Sequence, residues 1–361
     1  MLESIEYLAI FEPGMRKLLL PISLVLIAVP NFFGGEQLSP LPAPVSNNAV
    51  AAVKVNGQFL VYSLMGLGAD KSWSSVTNDA NALNLKYDRW TPIRAVPGSG
   101  RLGAAASAVR QQILLFGGFV LDRSGRQTIV PDLSIYDPIA LRWYRGPDLL
   151  VPVRDAVGGV YRDRYVYVLG GFSDKGPSNE TQVYDAEAQH WFEATPMPVA
   201  VFGHAGSVVG DSIVFVDGAK KNSTAGAVPY VSSDECWMGK IDRHDPKNIQ
   251  WTHLPTHPGT GRYRIAAGGS EREQKIYFAG GSQSIYDYNG IDLEGKPAEP
   301  STAVFAFDLK SNAWQVIQEN SPRATMDHRS LVVTSDGLLL IGGMAKGPVV
   351  ISTVTLLPKK P

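Results

Sequence analysis

The sequence predicts an all-β fold built from six copies of one unit, and three recurring marks predict it. Apolar runs end in glycine pairs. Ile113-Leu114-Leu115-Phe116 leads into Gly117-Gly118, and Val166-Tyr167-Val168-Leu169 into Gly170-Gly171. Ile276-Tyr277-Phe278-Ala279 leads into Gly280-Gly281, and Leu338-Leu339-Leu340-Ile341 into Gly342-Gly343. Degenerate copies, Met65-Gly66 and Asp217-Gly218, fill the gaps, so second members stand at 66, 118, 171, 218, 281 and 343, about 55 residues apart. A second mark follows each pair: an aromatic–Asp step whose Asp lies six residues before a Trp. Tyr136-Asp137 precedes Trp143, Tyr184-Asp185 precedes Trp191 and Phe307-Asp308 precedes Trp314. Leu83-Asn84 keeps the same distance to Trp90, whereas Asp242 and Trp251 stand nine apart. The third mark is a run of small residues opening each unit, as in Gly103-Ala104-Ala105-Ala106, Ala156-Val157-Gly158-Gly159, Ala205-Gly206-Ser207 and Ala266-Ala267-Gly268-Gly269.

Each mark has a physical reason. The glycines admit positive φ and close backbone approach at a strand end. The Asp or Asn caps a tight turn. The Trp then opens the next strand and packs between neighbouring sheets. Small side chains suit the innermost strand, where sheets crowd a common axis. Glycine pair, aromatic–Asp, five residues and Trp together resemble the kelch motif. The resemblance covers residues 36–361 as a single domain and implies a six-bladed β-propeller with four antiparallel strands per blade. The last unit has no Trp after Gly343. It offers Ser330–Val333, Leu338–Ile341 and Val349–Leu356, and residues 36–42 are expected to supply its outer strand. That pairing closes the ring through an N-terminal strand and removes an open edge.

Ahead of the ring, residues 1–35 read as a leader, with Met15 as an alternative start. Met15-Arg16-Lys17 is followed by twelve residues, Leu18 to Val29, interrupted only by Pro21 and Ser23. This is the layout of an export signal, too short for a span of about 20 apolar residues. A periplasmic or secreted location is expected. The other reading is an uncleaved anchor. Lys+Arg 33 against Asp+Glu 34 leaves a net charge of -1, which argues against general nucleic-acid binding. One cysteine, Cys236, excludes an internal disulfide and a Cys-based zinc cluster.

Candidate site residues stand just before the innermost strands. They are Arg101, Arg154 with Asp155, His204, Arg264, and His328 with Arg329. In kelch proteins, arginines at this position line the ligand-binding mouth, and the resemblance carries that role to Arg101, Arg154, Arg264 and Arg329. Guanidinium groups suit a carboxylate. The bland alternative is pairing with Asp155 and Asp327 along a wet channel. Two long insertions, Ala219 to Ser233 and Ser282 to Pro300, carry Lys220, Lys221, Tyr230, Tyr286, Tyr288, Asn289 and Asp292 and read as either binding loops or edge closure.

The whole-chain layout resembles secreted bacterial N-acetylneuraminate epimerases of the kelch type. It implies a small anionic sugar as partner, no cofactor, and a sugar mutarotase as the enzyme to test. That family carries a glutamate after the fourth glycine pair, where this chain has Ala219. Glu235 and His204 are the catalytic candidates in its place, with Asp234 behind them. The alternative is a non-catalytic module for a glycan or a protein partner. A galactose oxidase-like copper site is disfavoured, because Cys236 lacks suitably spaced histidines: His190, His253 and His257 flank outer strands.

Overall fold

Each predicted unit folds into one four-stranded antiparallel sheet. The computed structural model describes residues 37–224, 228–321 and 323–359, so the leader lies outside the described residues. The innermost strands are Ala49–Val55, Ala105–Val109, Val157–Tyr161, Ala205–Val209, Ala266–Ser270 and Val332–Val333. Every blade runs outward from its innermost strand, and the first five do so in chain order. No α-helix occurs among the described residues; one short helical turn covers Trp73–Ser75.

The sixth blade is completed from the other end of the chain. Gln37–Leu38 pairs antiparallel with Val354–Leu357, in the register Gln37↔Thr355 and Leu38↔Val354. The closing segment continues inward, and Leu41 is buried at 4% exposure. The expected strand over residues 349–356 divides in two. Val349–Val350 turns back on Met344–Ala345 as a small hairpin, and Val354–Leu357 alone joins the blade.

The three sequence marks acquire their geometry here. All six glycine-pair positions are left-handed, including the degenerate Met65 (φ 57) and Asp217 (φ 64). At Gly118 a Cβ would meet the Leu102 carbonyl oxygen at 2.7 Å, so only glycine fits. Asp137, Asp185, Asp242 and Asp308 each accept two turn N–H groups through Oδ1. The Trp indoles reach across the seams. Trp90 Nε1 donates to the Ser39 carbonyl at 2.9 Å, Trp143 to Arg94 at 2.7 Å, Trp191 to Pro147 at 2.9 Å and Trp314 to Pro255 at 2.7 Å. Trp90 thereby ties the first blade to the closing strand. Trp251, in the unit with the longer spacing, has a buried Nε1 with no partner. The apolar core lies between facing sheets, for example Tyr167 and Leu169 against Ile213 and Phe215 between the third and fourth blades.

Candidate functional site

Six left-handed residues encircle the axis, one per blade: Asn47, Gly103, Asp155, Gly203, Arg264 and Asp327. Their amides form a belt. Asp155 N–H donates to Gly103 O (2.8 Å), Gly203 N–H to Asp155 O (2.9 Å), Arg264 N–H to Gly203 O (2.8 Å) and Asn47 N–H to Asp327 O (3.3 Å). The Gly103 amide donates to the Asn47 side-chain oxygen, and the His328 amide closes the circuit onto Arg264 O at 3.3 Å. A left-handed Arg or Asp carries a cost of roughly 1–2 kcal/mol, which the belt holds in place.

On this belt sits a buried ionic cluster. Arg154 Nη1 lies 2.5 Å from Asp155 Oδ2, and Arg329 Nη2 lies 2.8 Å from Asp155 Oδ1. Arg264 bridges both acids, with Nε 3.3 Å from Asp155 Oδ1 and Nη1 3.1 Å from Asp327 Oδ1. Asn47 Nδ2 donates to Asp327 Oδ1 at 3.2 Å. Burial alone would push the Asp155 carboxyl up; Arg264, Arg329 and Arg154 outweigh it and hold it below the usual carboxylate range. Three guanidinium groups meet two carboxylates, leaving one positive charge over. The surplus falls where Arg329 Nε and Nη2 lack a well-aligned hydrogen bond, although Nη2 stays in ionic contact.

The two ends of the axis differ. On the loop side a plug draws on all six blades: Leu67, Leu102, Phe119, Phe202, Tyr263, Tyr286, Met326 and Met344 are buried, with Phe172 packed against them. The insertion of the fifth blade builds much of it. Tyr286 packs on Tyr263, with its ring centroid 5.2 Å from the Arg264 guanidinium, and Gln127 Nε2 donates to Asp287 Oδ1 from the second blade's loop at 3.1 Å. Tyr230 of the other insertion packs on Phe172 and Phe202. On the hairpin side a cavity of about 380 Å³ follows the inner strands. Asp155, Gly203, His204, His328 and Arg329 line it at the belt, and Ala108, Val160, Val333 and Glu271 near the strand ends.

The cluster therefore gathers Arg154, Asp155, Arg264 and Arg329, with His328 adjoining. Asp327, named in the sequence only as an alternative partner, is integral to it. Two expectations need correction. Arg101 is not on the axis: it donates to Gly117 O at 3.0 Å and Asp132 O at 3.3 Å within its own blade. Set against the left-handed residue of each blade, Arg101 stands two before, Arg154 one before, Arg264 on it and Arg329 two after. Loop lengths shift the sequence offset, whereas the belt fixes spatial register. Glu235 is also off the axis, bound by Trp237 Nε1 at 3.0 Å, with Lys220 Nζ at 3.4 Å and His253 Nε2 at 3.6 Å.

Both axial histidines are neutral. His204 packs edge-on against Phe215, and neither ring nitrogen has a partner; His328 Nε2 meets Thr325 Oγ1 at 2.9 Å. Burial pushes each imidazole down to about 3. In the unfolded chain they charge below about 6.5. Their contribution is thus complete above that pH and is lost as pH falls toward 3. Melting temperature is expected to fall across this window by on the order of 10 °C, from roughly 4 kcal/mol per imidazole. His204→Leu should remove about half the decline, measured by calorimetry at pH 7.5 and 4; an unchanged acid limb would contradict the assignment.

The outside comparisons bear on the fold. The Kelch motif profile matches residues 154–198, the segment running from Arg154 through the third blade. The chain carries a kelch motif within a six-bladed β-propeller. This propeller is 30% identical over 145 residues to the Kelch-like protein terF of Aspergillus terreus, a match covering 39% of the chain and only 31% of that relative's length. It also superimposes on the solved structure of YjhT with a TM-score of 0.69 at 19% identity, over 90% of the chain and 97% of YjhT, a likeness of fold.

Proposed function

We propose that this kelch propeller is an exported, non-catalytic module that binds a small anionic sugar at the floor of the axial cavity. The surplus guanidinium carries the reading. An uncompensated buried charge is expensive, and one bound carboxylate would offset it. The cavity's 380 Å³ falls in the range of small-ligand sites. Its walls are the free edges of six inner strands, which present unpaired backbone donors and acceptors. Ser107 and Ser207 also line it. Such a lining suits hydroxyl groups. The likeness to kelch-type N-acetylneuraminate epimerases supports a sugar acid, and the basic, apolar leader supports export to the periplasm or beyond.

Catalysis has less support. Proton transfer to a sugar ring needs a group titrating near the working pH. His204 and His328 are held near 3, Glu235 is off the axis, and Ala219 stands where the epimerases carry glutamate. Mixing the protein with one pure anomer of N-acetylneuraminate tests both halves by NMR. Broadened ligand resonances with anomer equilibration at the buffer rate are expected. Unbroadened resonances would overturn the binding reading, and accelerated equilibration would restore the mutarotase.

A further inference from the structure

We infer that the axial site is loaded from the hairpin end of the ring, opposite the loops, and holds a single monoanion against Arg329. This rests on the anionic-ligand reading above and adds its route, orientation and stoichiometry.

The loop end is shut by construction. Leu102, Phe119, Met326 and Met344 are 0% exposed, and Tyr263 and Tyr286 are 1% and 2% exposed. They come from the second, fifth and sixth blades and meet over the cluster. Contacts between blades hold the plug. Gln127 meets Asp287, Ser232 Oγ donates to Gln283 O at 3.0 Å, and a Cβ at Gly290 would strike Pro348 at 2.4 Å. Passage on this side requires parting six blades' worth of packed apolar groups. Beneath the plug, the amide belt constricts the axis further.

The hairpin end is built the other way. Ala106, Ala108, Gly158, Val160 and Ser207 line the cavity and remain partly exposed, so small side chains keep the bore open. At its floor, the cavity touches the one guanidinium whose Nε and Nη2 are buried without a well-aligned hydrogen bond; the Arg329 side chain is 4% exposed. Asp155 Oδ1 lies 2.8 Å from that same Nη2 and Nη1 donates to the His328 carbonyl at 3.2 Å, which leaves Nε as the open donor. A carboxylate descending the bore meets Arg329 first, and its body points back toward the hairpin turns. The charge excess is one, so one monoanion completes the balance; a dianion would leave a new deficit.

The chain's own cysteine makes the route measurable. Cys236 is 1% exposed, and burial pushes its thiol up to about 12, so it is silent to thiol reagents at neutral pH. Ala108→Cys places a thiol in the bore near the hairpin turn, and Leu293→Cys places one on the exposed loop face. Modification by a charged methanethiosulfonate is followed with and without saturating N-acetylneuraminate. The expected result is at least tenfold protection of A108C and none of L293C, with a fitted stoichiometry of one. Protection of L293C instead, or of neither while the wild type binds the sugar acid, would overturn the route. Failure of the wild type to bind it would overturn the anionic-ligand reading itself, and the route with it.

Discussion

Asp155→Asn is expected to lower the melting temperature by roughly 4–8 °C at neutral pH. Removing one partner of a buried charge set costs about 3–5 kcal/mol, and a ring of this size converts each kcal/mol into about 1.5 °C. Three guanidinium groups contact this one carboxylate, at 2.5, 2.8 and 3.3 Å. Without its charge, they are left with Asp327 alone. Asparagine keeps the size and the left-handed backbone preference of Asp155, so the loss reports charge rather than shape. The sign with pH follows from the depressed carboxyl. Its stabilisation is complete above about 3.9, the ordinary Asp value, and is lost only as pH falls below the usual carboxylate range. The wild-type minus variant difference should therefore persist at pH 5 and shrink only in strong acid. Asp148→Asn, which removes a half-exposed carboxylate serving Arg145 at 2.5 Å, is the control and should shift melting little. Equal melting of D155N and wild type by scanning calorimetry would mean that the cluster does not hold the axis together.

The ring itself was legible because its signals are local and repeated. Glycine pairs, Asx turns and Trp positions recur at fixed offsets, and even Met65 and Asp217 take the left-handed backbone of the glycines they replace. The closing strand was legible from a missing Trp in the last unit. The axis was only half legible. Arginines before the inner strands pointed to a charged centre, but their sequence offsets hid that Arg101 turns into its own blade. The contacts that decide the cluster span 109 residues between Asp155 and Arg264 and 280 between Asn47 and Asp327. Pairings of that range follow from ring closure and leave no mark in a local pattern. The open end was hidden for a similar reason. Tyr286 looked like a binding-loop aromatic, and only the packed fold turns it inward as part of a plug.

Arg329→Gln should separate binding from folding. It brings the cluster to two guanidinium groups and two carboxylates, so the surplus charge disappears. Asp155 keeps Arg154 and Arg264, and Asp327 keeps Arg264 and Asn47. The fold should therefore melt within a few degrees of wild type. Affinity for a carboxylate should suffer far more, because the one guanidinium facing the cavity is gone. A charge-assisted contact of this kind contributes about 1.5–3 kcal/mol, or roughly 10- to 150-fold in Kd. Isothermal titration of N-acetylneuraminate into wild type and R329Q, with melting recorded on the same samples, measures this directly. The expected result is one site per chain in the wild type, weakened at least tenfold in a fully folded R329Q. Equal affinity in the two proteins would contradict an anion site on the axis.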